Sequence, residues 1–240
     1  MAIAYVNGFC SSTASSASTV ASDAQSHTTG NTIIVFVSNY TSGGYKTVSG
    51  VADTAGNTYT KCGGDYGGDA NQNNVCYVAT NITGNASNVV TATFNAAATY
   101  RVIAVLQYSG LATSSVYDAT NTGALISGNG STPTTWTGNS LTTSTDDQIV
   151  LGFWVAWDVA RPLATSGSST LRAESGAGAA DDDAAVTELV AATAGSYSIM
   201  TQTAAVQTDR YANIARSFKA ATGGSTIAPL AAAYYGMLRN

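Results

Sequence analysis

Apolar residues in this chain recur at every second position, in short runs separated by Gly, Asn, Asp and Ser. Tyr100, Val102, Ala104, Leu106 and Tyr108 share one face of such a run, and Arg101, Ile103, Val105 and Gln107 share the other. A period of two is that of a β-strand, whose successive side chains point to opposite faces. Ile33–Val37, Thr47–Asp53, Asn57–Cys62, Val75–Thr80 and Val89–Phe94 read as further strands, and later ones fall at 185–190, 196–203 and 210–219. The Tyr100–Tyr108 strand is expected to be buried on one face and partly covered on the other. Ile149–Trp157 is apolar on both faces, which places it at the centre of a sheet or at a subunit contact. Trp154 and Trp157 fall on opposite faces of this run, so at least one belongs to the core. Ala-rich stretches such as 176–194 are broken by Gly and Thr and keep no helical period. Residues 112–147, rich in Ser, Thr, Gly and Asn, read as long loops with one or two edge strands.

The fold class that follows is all-β, an antiparallel, jelly-roll-like β-sandwich. Gly30-Asn-Thr-Ile-Ile-Val-Phe-Val is echoed by Asp146-Asp-Gln-Ile-Val-Leu-Gly-Phe, and Ala96–Ala104 is echoed by Ala204–Ala215. The echo marks a weak internal duplication, with halves at about 31–110 and 147–219. Two arrangements fit: two tandem sandwiches, or one sandwich whose halves each give strands to both sheets. The single sandwich, over residues 1–220, is preferred because no linker of domain-boundary quality separates the halves. Residues 221–226 form a Gly-containing joint, and 227–240 form an apolar tail. Its Ile227, Pro229, Leu230, Tyr234, Tyr235, Met237 and Leu238 are the expected interface residues, packing on the chain's own domain or on a neighbouring subunit.

Charge is scarce. Only 10% of the 240 residues are charged, the net charge is −5, and His27 is the single histidine. With no cluster of Lys and Arg to neutralise phosphates, nucleic acid is not an expected partner, and neither is an anionic membrane surface. No apolar run approaches the roughly 18–20 residues of a membrane span. The first residues show no basic, then apolar, leader pattern, so no secretory signal is read.

Catalytic chemistry has few carriers here. His27 lies in a Ser/Thr-rich segment and reads as a solvated loop histidine rather than a general base. The acids are twelve Asp and two Glu, Glu174 and Glu188. Asp118, Asp158 and Asp209 fall at strand ends, where paired carboxylates of a glycoside hydrolase could sit. Asp181, Asp182 and Asp183 form the sharpest acidic cluster and are the candidate metal site. Ca²⁺ is the cation such a loop would hold, against a solvated acidic turn. Asp65 and Asp69 form a second candidate. Cys62 and Cys76 flank one hairpin and are candidates for a cross-strand disulfide, against two buried thiols. Trp136, in a Thr-rich segment, is the candidate ligand-binding residue, since exposed aromatic faces stack on sugar rings.

Val51-Ala-Asp-Thr-Ala-Gly-Asn-Thr-Tyr resembles a V-x-D-x-A-G-N-x-[YW] turn of a family of bacterial and phage β-sandwich domains. Gly30-Asn-Thr-Ile-Ile-Val, Tyr77-Val-Ala-Thr-Asn-Ile and Gln107-Tyr-Ser-Gly-Leu resemble the flanking strands of that family. The resemblance covers residues 1–220, the second half by pattern only. It implies a non-enzymatic accessory component of a phage virion, a capsid decoration, head fibre or tail part. The implied partners are further copies of the chain and other virion proteins, and the implied location is the virion. The alternative is a carbohydrate-binding or adhesive module that recognises a host surface glycan.

Overall fold

The structure is a computed structural model that describes residues 2–66, 70–120, 124–126, 135–156, 163–165, 168–175, 183–203 and 211–222. Every regular element among them is a β-strand. The first half runs β1 (Ala4–Thr13), β2 (Ala17–Ala21), β3 (Gln25–His27), β4 (Thr32–Tyr40), β5 (Val48–Asp53), β6 (Thr60–Lys61), β7 (Gln72–Ala79), β8 (Asn85–Asn88), β9 (Val90–Ala98) and β10 (Tyr100–Ser109). The second runs β11 (Tyr117–Thr120), β12 (Ala124–Ile126), β13 (Thr135–Thr137), β14 (Leu141–Thr142), β15 (Gln148–Ala156), β16 (Leu163–Thr165), β17 (Thr170–Glu174), β18 (Asp183–Ala191), β19 (Ser196–Tyr197), β20 (Met200–Thr203) and β21 (Tyr211–Lys219).

Strand pairing stays within each half. In the first, an inner sheet of order β1-β10-β4-β7-β6 faces an outer β2-β9-β5 sheet and a β3-β8 ladder. In the second, an inner sheet of order β11-β21-β15-β18-β17, with β12 also on β21, faces β13-β20-β16 and β14-β19. The two orders match strand for strand once β11 and β12 together stand for β1. All of these pairs are antiparallel. The preferred single sandwich does not describe this pairing: the halves are two tandem sandwiches, and the chain exchanges no named strand between them. Residues 112–147, read as long loops with one or two edge strands, supply four short strands, because Thr suits a pleated surface even without an apolar pattern.

Three apolar cores follow. Ile33, Val35, Val37, Val75, Ile103 and Phe94 fill the first sandwich. Val150, Trp154, Ala185, Ile199 and Ala215 fill the second. A third core, the largest, lies between the two inner sheets and joins Ile34, Phe36, Leu106 and Tyr108 to Leu151, Phe153, Val186 and Phe218. The molecule is therefore four sheets deep. This explains why β10 is buried on both faces, not half-covered: one face meets its own sandwich and the other meets the second half. It also resolves β15 as a central strand, flanked by β18 and β21. Trp154 is buried in the core, its indole N–H donating to Thr187 Oγ1 at 2.9 Å, and Trp157 lies outside the described residues. Gly152, two residues before Trp154 on the same face, leaves the space that Ile199 enters; a Cβ there would collide with that side chain.

The equivalence between halves is one residue out from the sequence echo. Gly30 and Asp147 both take a left-handed conformation, with φ of 86° and 54°, just before β4 and β15. Aligning them pairs Phe36 with Phe153, whereas the echo pairs Ile33 with Ile149. A one-residue slip sends every side chain to the wrong face: Ile33 packs in its own sandwich and Ile149 between the halves. Phe36 and Phe153 in fact stack on each other, with centroids 5.3 Å apart and planes at 19°.

Candidate functional site

Two clefts flank the Phe36–Phe153 contact, and exchanging the halves exchanges them. The first opens between the start of β1 and the β17–β18 edge, with a volume of about 440 Å³. Ile3, Tyr5, Ile149 and Val190 give it apolar walls, and Arg172 and Glu188 contribute charge. The second lies between β6 and the segment leading into β11, and includes Lys61, Cys62, Val78 and Tyr117.

In the first cleft a buried polar group bridges the halves. Glu188 is only 5% exposed although it stands in the apolar run Ala184–Val190. Its Oε2 accepts the Tyr108 hydroxyl at 2.6 Å, and its Oε1 accepts Arg172 Nη2 at 2.6 Å. The Arg172 guanidinium lies 4.7 Å from the centre of the Tyr5 ring, a cation–π contact. The Tyr5 hydroxyl donates to the Arg172 carbonyl at 2.8 Å, and Tyr5 meets Tyr108 edge to face. Burial, then the Glu188 charge, pushes the Tyr108 phenol well above its ordinary range, although Arg172 opposes this. Hydrogen bonding to Glu188 raises Arg172 further, so the guanidinium stays charged. Both carboxylate oxygens are engaged, so Glu188 is built as an acceptor within a clamp rather than as a free acid or base.

Beside the second cleft, Arg216 is buried on β21. It donates through Nε to the Cys62 carbonyl at 2.8 Å and through Nη2 to the Gly64 carbonyl at 3.1 Å. It therefore fastens the loop after β6 to the other half. Cys62 and Cys76 lie on neighbouring segments, joined by the Cys62 N–H to Cys76 carbonyl bond at 2.8 Å, and both are free, buried thiols. Burial, then the neighbouring Cys62, pushes the Cys76 thiol up, which keeps it protonated and unreactive.

The Val51–Tyr59 turn is organised by Asp53. Its Oδ1 accepts the Asn57 backbone N–H at 2.9 Å. Its Oδ2 accepts Asn57 Nδ2 at 2.8 Å, Tyr59 Oη at 2.8 Å and Asn88 Nδ2 at 2.9 Å. Burial works to raise its pKa, but the bonds from Asn88, Asn57 and Tyr59 outweigh it and hold the carboxyl below the usual range. Gly56, with φ of 78°, supplies the left-handed residue of the turn. His27 belongs to this network. The reading of a solvated histidine is corrected: it is 4% exposed, on β3, with Nδ1 3.0 Å from Asn88 Nδ2. Burial lowers its pKa against the pull of Asp53, so the neutral imidazole is the folded form.

Asp118 is equally committed. It accepts the Ser144 N–H and Gln148 Nε2, each at 2.7 Å, and pairs with Lys219 Nζ at 3.1 Å. Burial is outweighed by the bonds from Ser144, Gln148 and Lys219, so its carboxyl is held far below the ordinary range. It fastens the start of the second half to its last strand and, among the described residues, is hydrogen-bonded to no partner carboxylate. Asp158, Asp209, Asp181, Asp182 and Asp69 lie outside the described residues, and Asp183 opens β18. Asp65 forms an ion pair with Lys61. Among the described residues no three His, Cys, Asp or Glu side chains gather as a metal site. Trp136 is on β13 of an outer sheet, opposite Thr201. Residues 227–240 also lie outside the described residues.

Compared with known proteins, the chain matches no family model, no curated protein and no solved structure. The Tyr108–Glu188–Arg172 clamp and the Arg216 fastener were missed by sequence reasoning. The signal that marks them is a lone charge inside an apolar strand, as in Ala184–Val190 and Tyr211–Phe218.

Proposed function

We propose that this chain is a non-enzymatic structural component of a phage virion, an accessory capsid or tail part that packs against neighbouring copies. One observation carries the reading: among the described residues, Asp53, Asp118, Glu188 and His27 act as internal fasteners. Asp53 ties a turn, Asp118 ties the ends of the second half, and Glu188 ties one half to the other. Among the described residues none of these three stands beside an activated nucleophile or a second free carboxylate, the arrangements hydrolytic chemistry needs. Four stacked sheets joined by three cores make a body suited to bearing load. The likeness of the Val51–Tyr59 turn and its flanking strands to bacterial and phage sandwich domains supplies the virion context.

Sedimentation velocity tests the reading on the full chain and on a chain ending at residue 226. The full chain should self-associate at micromolar concentration, and the shorter one should be monomeric with an unchanged thermal midpoint. A full chain that stays monomeric, or a shorter chain that associates equally well, would overturn it.

A further inference from the structure

The first cleft, between β1 and the β17–β18 edge, has a volume that falls in the range of real binding pockets, about 300–1,000 Å³. We infer that it is the seat for the start of the tail, Ile227 to Leu230, of a second copy of this chain. The inference rests on the proposed self-association and names the surface that receives it.

The chemistry of the cleft fits a peptide with small apolar side chains. Ile3, Ile149 and Val190 line it, and Val190 is 54% exposed. Arg172 and Glu188 in the wall are paired with each other, so an apolar group entering beside them strands neither, and Asp147 is the third charge in the lining. Two polar demands remain on residues of the lining: the buried Arg172 Nε–H and the buried Gln148 Oε1 have no partner among the described residues. An unmet buried donor costs about 1–3 kcal/mol, and a peptide carbonyl is the group that meets it.

The place of the cleft in the fold supplies the partner. Ala220 is part of its wall, and the Ala221 N–H is held by the Gly110 carbonyl at 2.9 Å. The chain thus leaves the second sandwich at the rim of the cleft. The joint 221–226 spans at most about 20 Å when extended. Two copies apposed at this rim can therefore each pass a tail into the other's cleft, a closed, self-complementary exchange. Return of the tail to its own chain satisfies it poorly. Among the described residues the only large apolar side chains well exposed are Val6, Tyr45 and Val190, and Val190 alone is in the cleft. Tyr234, Tyr235, Met237 and Leu238 would find no apolar surface there, whereas in an exchanged pair the two tails cover each other.

Two measurements decide it. Val190→Asp places a charge at the exposed rim and should weaken self-association about tenfold or more while leaving the thermal midpoint unchanged. Tyr45→Asp, at another exposed apolar residue outside the cleft, should leave association as it is. If truncation at 226 abolishes association but Val190→Asp does not, the cleft is not the seat, and the structural role stands. If truncation has no effect, both fall. In the second measurement, differently tagged chains carrying Val190→Cys and Leu230→Cys are mixed and oxidised. A disulfide between the two tags supports the exchange. A double variant that closes within one chain, with no bond between tags, overturns it.

Discussion

The two halves share a topology and differ in chemistry at their contact. Register fixes the equivalences: Phe36 lies opposite Cys76 and Ala104, and Phe153 lies opposite Val186 and Ile214. Tyr5 and Tyr117 then correspond, each paired across from the matching end of its neighbour, at Tyr108 and Phe218. Val78 corresponds to Glu188 and Leu106 to Arg216. One half thus gives an aliphatic and an aromatic alcohol where the other gives a carboxylate and a phenyl ring. Strand order follows from the apolar face pattern, which both halves keep. The fasteners ride on top of that pattern and are free to differ.

The largest test is of the shared element. Phe36→Ala and Phe153→Ala should each cost about 3–5 kcal/mol in denaturant unfolding. The double variant should cost less than their sum by about 1 kcal/mol, because the rings touch. Markedly unequal single costs would break the equivalence of the halves.

Next comes the element that differs. Glu188→Val, which installs the residue of the other half, should cost about 2–3 kcal/mol by orphaning Arg172 and Tyr108; partial solvent contact of Arg172 keeps it below the full cost of a stranded ion. Changing Glu188→Val, Tyr108→Phe and Arg172→Leu together should return stability to within about 1 kcal/mol of the native chain. A triple variant as unstable as the single would show that the clamp holds the halves by more than mutual satisfaction.

Asp53→Ala should cost about 2 kcal/mol through its charged hydrogen bonds. Because the folded Asp53 pKa lies below the unfolded one, its contribution is present above the ordinary carboxylate pKa, near 4, and is lost as pH falls through the folded value. A urea midpoint that drops between about pH 4 and 2 in the native chain should drop less in Asp53→Asn.

The smallest effect belongs to His27. Its folded pKa is depressed, so the unfolded chain binds the proton first, and stability declines as pH falls below about 6.5. His27→Gln should flatten the urea midpoint between about pH 6.5 and 5. An unchanged slope would mean that the ring is not held neutral.

The strands were legible because each inner-sheet strand must satisfy two faces, and the alternation in Tyr100–Tyr108 and Ile149–Ala156 records both. The duplication was legible too, but not its register. Ile, Val and Leu are interchangeable in a run apolar on both sides, so Ile33 could be laid on Ile149 with nothing local to object. The left-handed residues Gly30 and Asp147 fix it, and a backbone angle at Asp147 is not written in residue type. Layer number was hidden for the same reason: a buried second face does not say whether its cover is another sheet of the same chain or another subunit. The clamp was illegible because Tyr108, Arg172 and Glu188 meet across three strands. His27 was misread because its neighbours Gln25, Ser26 and Thr28 look like a loop, while Asn88 and Asp53 that enclose it are remote in sequence.

The stacking of Phe36 on Phe153 carries a consequence for what this chain can become. When two identical copies meet through one residue on a local axis, every substitution enters twice, once on either side of that axis. Both flanks are then bound to the same chemistry. With both copies in one polypeptide, the flanks are inherited separately. One can keep two buried thiols beside the Arg216 fastener while the other takes on a carboxylate and a guanidinium paired with each other. A single covalent link thus converts a symmetric seam into two independent places on the surface.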